Sequence, residues 1–349
     1  MKKHLLTAIQ LLITATLLWW IFRNPDQNKK LLAALDTANL WWFLPGLVAI
    51  GVGLLIQVER WLILLRVQGI VVSFSRALRI VLVGMFFNLF LIGATGGDIV
   101  KIFLIIREAP HKKAGALLSV FIDRIVGLLA LAAISAAMIF FHWDTLISHE
   151  FTKWVVVAVA IILGGSLGFI LVAWLVDRFH LTTRLPQWLP ARAKIAEAAA
   201  AFAEYARSGK SVTNAFLLSI PSHFLFFSTF YFGAKAFRSD LELSNLFCVS
   251  PIVSTVTALP ISVGGAGVRE TLFIEILGGL YSTPESIATL ISLSGFMMTV
   301  FWSLVGGAIY LLYRSSNHDI PHMADMQGAV ETLEHQVEAN AASGHKLDS

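Results

Sequence analysis

Val263-Gly264-Gly265-Ala266-Gly267-Val268-Arg269-Glu270 and Ala94-Thr95-Gly96-Gly97-Asp98-Ile99-Val100-Lys101 break two otherwise apolar stretches of the chain. Both read Gly-Gly-x-x-Val followed by a cation, and Gly265 lies 168 residues after Gly97 (265 minus 97). Glycine breaks at corresponding places in two halves of a hydrophobic chain point to the binding site of a membrane transporter. The spacing therefore predicts a duplicated membrane architecture with a polar site at each break.

Composition supports the membrane setting. Hydrophobic residues make up 57% of the chain and charged residues 14%, against about 25% charged in soluble domains. Apolar runs of about 20 residues, enough to cross about 30 Å of hydrocarbon, recur along it. The formal net charge of +4 calls for no nucleic-acid partner. The single cysteine, Cys248, allows no intrachain disulfide and suggests no thiol metal site. Trp19-Trp20-Ile21-Phe22 stands where small residues would mark signal cleavage, so the N-terminal apolar run reads as a retained span.

Working outward from the glycine breaks, the sequence predicts full spans over 5–22, 41–64, 115–141, 154–176, 212–235 and 286–313, with broken apolar segments at 78–106 and 246–280. Lys2 and Lys3 put the N-terminus on the cytoplasmic side, and Arg66, Arg76 and Arg79 follow there. If each broken segment enters and returns on one side, the acidic loop 142–153 faces out. The basic segment 177–211 and Arg314 then face in. Two short full crossings per segment remain the alternative. Adding 168 to spans 41–64 and 115–141 gives 209–232 and 283–309, close to later spans. Three spans and one hairpin per half is an odd number of crossings, which inverts the second half.

The expected fold is thus an all-α integral membrane protein, an inverted repeat of about 3+3 full helices plus two re-entrant or broken hairpins. The membrane domain covers 1–315, with repeats at about 5–141 and 154–313, and a polar cytoplasmic tail covers 316–349. Trp19, Trp20, Trp41, Trp42, Trp143 and Trp154 mark outer span ends, Trp61 and Trp174 inner ends. Trp302 fits neither level and is expected between helices. Residues 191–208, after Pro186 and Pro190, read as a cytoplasmic surface helix. The tail reads as a frayed amphipathic segment with solvated histidines (His318, His322, His335, His345).

Charges at membrane depth carry the chemistry, because each costs about 2.5–3.5 kcal/mol at a helix centre. Lys101 and Arg269 are placed in the first turn of the helix that returns from each break. There the unpaired N–H groups already carry positive charge, so a further cation calls for an anion opposite. The candidate substrate-binding set is Gly96, Gly97, Asp98, Lys101, Arg124, Gly264, Gly265, Gly267, Arg269 and Glu270, with a phosphate as the ligand that would satisfy both cations. Asp123, His223 and Glu275 are secondary candidates. The competing reading is internal neutrality, with Asp98 pairing Lys101 and Glu270 finding a partner of its own. Glu59 and Arg60, near an inner span end, read as structural and snorkelling. No metal-ligand spacing and no cofactor motif is present.

Three motifs carry a family resemblance: Gly-Gly-Asp-x-x-Lys (Gly96 to Lys101), Asp123-Arg124 in the following span, and Pro-x-Ser-x-Gly-Gly-x-Gly-x-Arg-Glu (Pro260 to Glu270). Together they resemble the lysylphosphatidylglycerol synthase transmembrane-region family, the flippase-like domain, over about 5–313. That resemblance implies movement of an anionic lipid or lipid-linked intermediate across a bacterial inner membrane, with both termini cytoplasmic and membrane lipids as partners. Two-part members add a soluble aminoacyltransferase domain. The short tail here implies a standalone member without it and without that enzyme activity. The alternatives are a membrane enzyme acting on a lipid phosphate, through Asp98, Asp123 and Glu270, or a non-transporting accessory subunit serving a lipid- or glycan-pathway enzyme.

Overall fold

The computed structural model of the chain describes residues 2–90, 96–178, 201–259 and 261–316, and every regular element among them is helical. The expectations for Ala94, Thr95, Pro186, Pro190, Pro260, the first part of the surface helix and the tail from 317 lie outside the described residues.

The main helices of the described chain are α1 (Lys2–Phe22), α2 (Pro25–Asp36), α3 (Phe43–Val67), α4 (Phe74–Phe90), α5 (Gly96–Glu108), α6 (Lys113–Phe141), α7 (Trp143–Ile147), α8 (Glu150–Arg178), α9 (Gly209–Ala236), α10 (Leu243–Thr257), α11 (Val268–Tyr281) and α12 (Glu285–Ser316). Local sequence explains their limits. Asn24 caps α2 by accepting the Asp26 N–H, with Pro25 at the first helical position, where a missing N–H costs nothing. Glu242 and Asn245 form a reciprocal capping box at the start of α10.

Among the described residues, five stretches are long and apolar enough to cross a membrane: Leu40–Val67, Pro110–Phe141, Glu150–Gly168, Gly209–Ala236 and Glu285–Leu312. These match five of the six expected spans. The sixth is helical over Lys2–Phe22, and the apolar part among its described side chains, Ile9–Phe22, is shorter. Each broken segment is two helices, α4 with α5 and α10 with α11. Adding 168 to α3 and α4 gives 211–235 and 242–258, against the observed 209–236 and 243–257.

Packing follows an exchanged pattern. α3 lies against its counterpart α9; α4, from the first half, packs on α12, while α10, from the second, packs on α6. One apolar core gathers Phe230, Phe273, Ile276 and Val249 around α9–α11; another gathers Val58, Leu62, Val81 and Ile105 around α3–α5. Ser135 of α6 and Thr255 of α10 share a buried hydrogen bond of 2.7 Å, which ties the two halves together.

Most expected interfacial tryptophans are exposed, as Trp19, Trp41 and Trp154 are. Trp302 does pack between helices, donating to the Leu47 carbonyl at 3.0 Å. Trp61 departs from expectation. It is 0% exposed and donates to Ser119 Oγ at 3.3 Å, because its face of α3 meets α6 rather than lipid. The described end of the expected surface helix, 201–207, is helical, and Tyr205 donates to the Leu64 carbonyl at 3.0 Å.

Candidate functional site: a buried charge cluster at the first hairpin

α4 and α5 cross at very close range. A Cβ on Gly97 would stand 2.0 Å from the Gly84 carbonyl oxygen, so only glycine permits the crossing. The Lys101 stem lies over Gly84 on the same face. Asn88 Oδ1 accepts the Gly97 N–H at 2.8 Å and caps the start of α5. Lys101 is the sixth residue of α5, in its second turn rather than the first, because the helix begins at Gly96 itself. The helix-end field fades within the first turn, so Lys101 owes its electrostatics to its neighbours.

Those neighbours come from α3 and α6. Lys101 is 8% exposed; its Nζ stands 4.9 Å from the centre of the Trp61 ring and 3.9 Å from Asp123 Oδ2. Among the described residues nothing accepts a hydrogen bond from this ammonium. Asp123, 4% exposed, gives its other oxygen to Arg60 Nε at 2.8 Å, and Arg60 donates onward to Ser219 Oγ of α9 at 3.0 Å. Arg124, about 100° further round α6, forms an ion pair with Asp98 of α5 and is half-exposed. Asp98 therefore pairs across to α6 and not with Lys101, while Asp123 and Arg124 both face the first hairpin.

The second hairpin is built from the same positions with different chemistry. Gly264, Gly265 and Gly267 all take positive φ, which a side chain would oppose. Glu270 is 1% exposed: Oε2 accepts the Gly267 N–H at 2.6 Å, and Oε1 accepts from Arg269 at 2.7 Å and from Ser292 Oγ at 2.8 Å. Arg269 also donates to Ser292 at 3.0 Å and lies 4.9 Å over the Phe296 ring. Lys101 and Arg269 share no partner among the described residues. Ser292 stands 168 residues after Arg124, as Arg269 does after Lys101, so the two clusters are equivalent in position (292 minus 124; 269 minus 101).

Two secondary candidates fall elsewhere. His223 Nε2 stands 3.0 Å from the Gly127 carbonyl oxygen, and its ring stacks on Phe227, bridging α9 to α6. Glu275 is exposed and lines a cavity of about 290 Å3 with His149, Glu150 and Gly278. No group of three or more His, Cys, Asp or Glu among the described residues is arranged to hold a metal ion. Sequence reasoning missed Arg60, Trp61, Ser219 and Ser292 as parts of the clusters. Arg60 read as a snorkelling end, yet it is 4% exposed because its face of α3 meets α6 and α9. Glu59, its neighbour, points away to the exposed Arg66.

These features define a multi-pass helical membrane protein with ion pairs buried between its spans. The family model for the lysylphosphatidylglycerol synthase TM region matches residues 7–306, and the chain belongs to that family. Among curated proteins it is similar to UPF0104 membrane protein PH1989 of Pyrococcus horikoshii, 31% identical over 112 residues. That match spans 32% of this chain and 32% of the relative. No solved structure matches the chain.

Proposed function

We propose that this protein moves an anionic phospholipid or lipid-linked intermediate across the membrane, its headgroup phosphate held at Lys101 of the first hairpin. The observation that carries this reading is the Lys101 ammonium itself. It is buried, stands 3.9 Å from its only counter-ion among the described residues, and makes no hydrogen bond there. Taking a charge out of water costs several kcal/mol unless partners replace the hydration. A phosphate oxygen would supply them, with Arg124 at the exposed edge of the cluster and acyl chains left in the bilayer.

The exchanged packing of α4 on α12 and α10 on α6, with the 168-residue offset, supports an inverted repeat with two re-entrant hairpins. Rocking of one repeat against the other would expose the site alternately to each side. On this reading the protein is a transporter rather than an enzyme, its partners are membrane lipids, and both termini are cytoplasmic in a bacterial inner membrane. The loop charges support that sidedness through Lys2, Lys3, Arg66 and Arg76 on one side and Asp144 and Glu150 on the other.

The test is native mass spectrometry with lipidomics on detergent-purified protein, beside Lys101→Ala. One anionic lipid class should be enriched on the wild type and absent from a correctly folded variant. Equal retention of bulk lipid by both would remove the anion site.

A further inference from the structure

Resting on that reading, we infer that the ligand site accepts a single negative charge, a phosphodiester, at the first hairpin alone, the second hairpin being a closed structural clasp. Charge balance carries the first half. Around α5 three cations (Arg60, Lys101 and Arg124) face two carboxylates (Asp98 and Asp123), which leaves one positive charge uncompensated among the described residues. That charge is localised. Asp123 gives its short contact to Arg60 at 2.8 Å and only the 3.9 Å approach to Lys101, while Asp98 is engaged by Arg124.

A phosphodiester carries one charge and would bring the pocket to neutrality. A phosphomonoester carries about −1.5 to −2 near pH 7, and a diphosphate monoester carries more still, so either would leave buried negative charge behind. Uncompensated charge in a low-dielectric site is strongly disfavoured.

The second half follows from saturation. Arg269 and Glu270 neutralise each other, Ser292 bonds both, and Glu270 also holds the Gly267 N–H at 2.6 Å. The tip is covered as well. Val263 N–H donates to Thr14 Oγ1 of α1 at 3.0 Å, and a Cβ on Gly267 would meet the Leu17 Cβ at 2.6 Å. The equivalent cation therefore has its charge neutralised inside the protein, with Nε and Nη2 bonded to Glu270 and Ser292. Its guanidinium is hydrogen-bonded to Glu270 and Ser292, whereas the Lys101 ammonium makes no hydrogen bond among the described residues.

The test uses the full chain in nanodiscs of zwitterionic lipid doped singly with phosphatidylglycerol (a phosphodiester), phosphatidic acid (a monoester) or an isoprenyl diphosphate, at pH 8, with bound lipid counted by native mass spectrometry. The wild type should retain phosphatidylglycerol at least tenfold over the other two, and Lys101→Met should abolish that preference. The neutral swap Arg269→Met with Glu270→Gln should stay within about threefold of wild type. Ser292→Ala, which leaves both charges, serves the same purpose should the swap fail to fold. Asp98→Asn adds a second uncompensated charge and should move the preference toward the monoester and diphosphate.

Equal or tighter retention of the two more highly charged lipids by wild type would overturn the charge match. A loss in Ser292→Ala or in the folded Arg269/Glu270 swap as large as in Lys101→Met would overturn the one-site assignment while leaving an anion site in place. Absence of any anionic enrichment on the wild type would overturn the functional reading itself.

Discussion

Arg60 and Asp123, 63 residues apart in sequence, form a buried ion pair with Nε 2.8 Å from Oδ1, and this contact fixes where the second carboxylate oxygen faces Lys101. Removing one partner of such a pair strands the other charge, at about 3–5 kcal/mol. Arg60→Met should therefore lower thermal stability in detergent sharply. Arg66→Met, which breaks only the exposed pair with Glu59, should cost at most about 1 kcal/mol. Similar melting shifts for the two variants would contradict the buried pair.

The α4–α5 crossing makes a steric prediction. Gly97→Ala would put a methyl 2.0 Å from the Gly84 carbonyl, so the helices must separate, at about 1–3 kcal/mol or more. Gly164→Ala on α8 meets nothing within 4 Å and should be neutral. Thermal denaturation of both variants checks the contrast.

Between the two halves, the Ser135–Thr255 hydrogen bond is open to a double-mutant cycle. Interhelical hydrogen bonds in membranes average about 0.6 kcal/mol and reach about 1.7. Ser135→Ala and Thr255→Val should show a coupling in that range, measured by unfolding in mixed micelles. Zero coupling would mean that the two hydroxyls do not meet.

α1 closes over the second hairpin through Thr14, which accepts the Val263 N–H. Thr14→Val removes that acceptor, worth about 1 kcal/mol. Hydrogen exchange at the 263–267 tip should then run about fivefold faster, with little change in α3. Unchanged exchange at the tip would argue against the closure.

Much of the architecture was legible because hydropathy and glycine breaks report on the lipid environment one segment at a time. The five long apolar helices fall where the pattern put them, and the second break falls at 263–267 as expected, whereas Gly96 and Gly97 already belong to α5. The wiring inside the clusters was less legible, since it depends on which face of a helix meets which neighbour. Arg60 and Trp61 sit one residue apart near a span end, where snorkelling and interfacial anchoring are the ordinary readings. Both are buried because α3 is enclosed by α6 and α9 at that level. Asp98 stands three residues before Lys101, a spacing that favours a local pair. Arg124 takes it instead, from the neighbouring helix. Ser292 was legible only through the 168-residue offset from Arg124, once the contact at Arg124 was known.

On the proposed function, Lys101 engages the headgroup of a lipid in transit. This engagement is tested most directly by reconstituting wild type and Lys101→Met into proteoliposomes with a fluorescent phosphatidylglycerol and following loss of the inner-leaflet pool by leaflet-selective quenching. Transbilayer movement should run well above empty liposomes for wild type and fall tenfold or more for a variant of equal stability and incorporation. Equal rates for the two proteins would contradict that engagement.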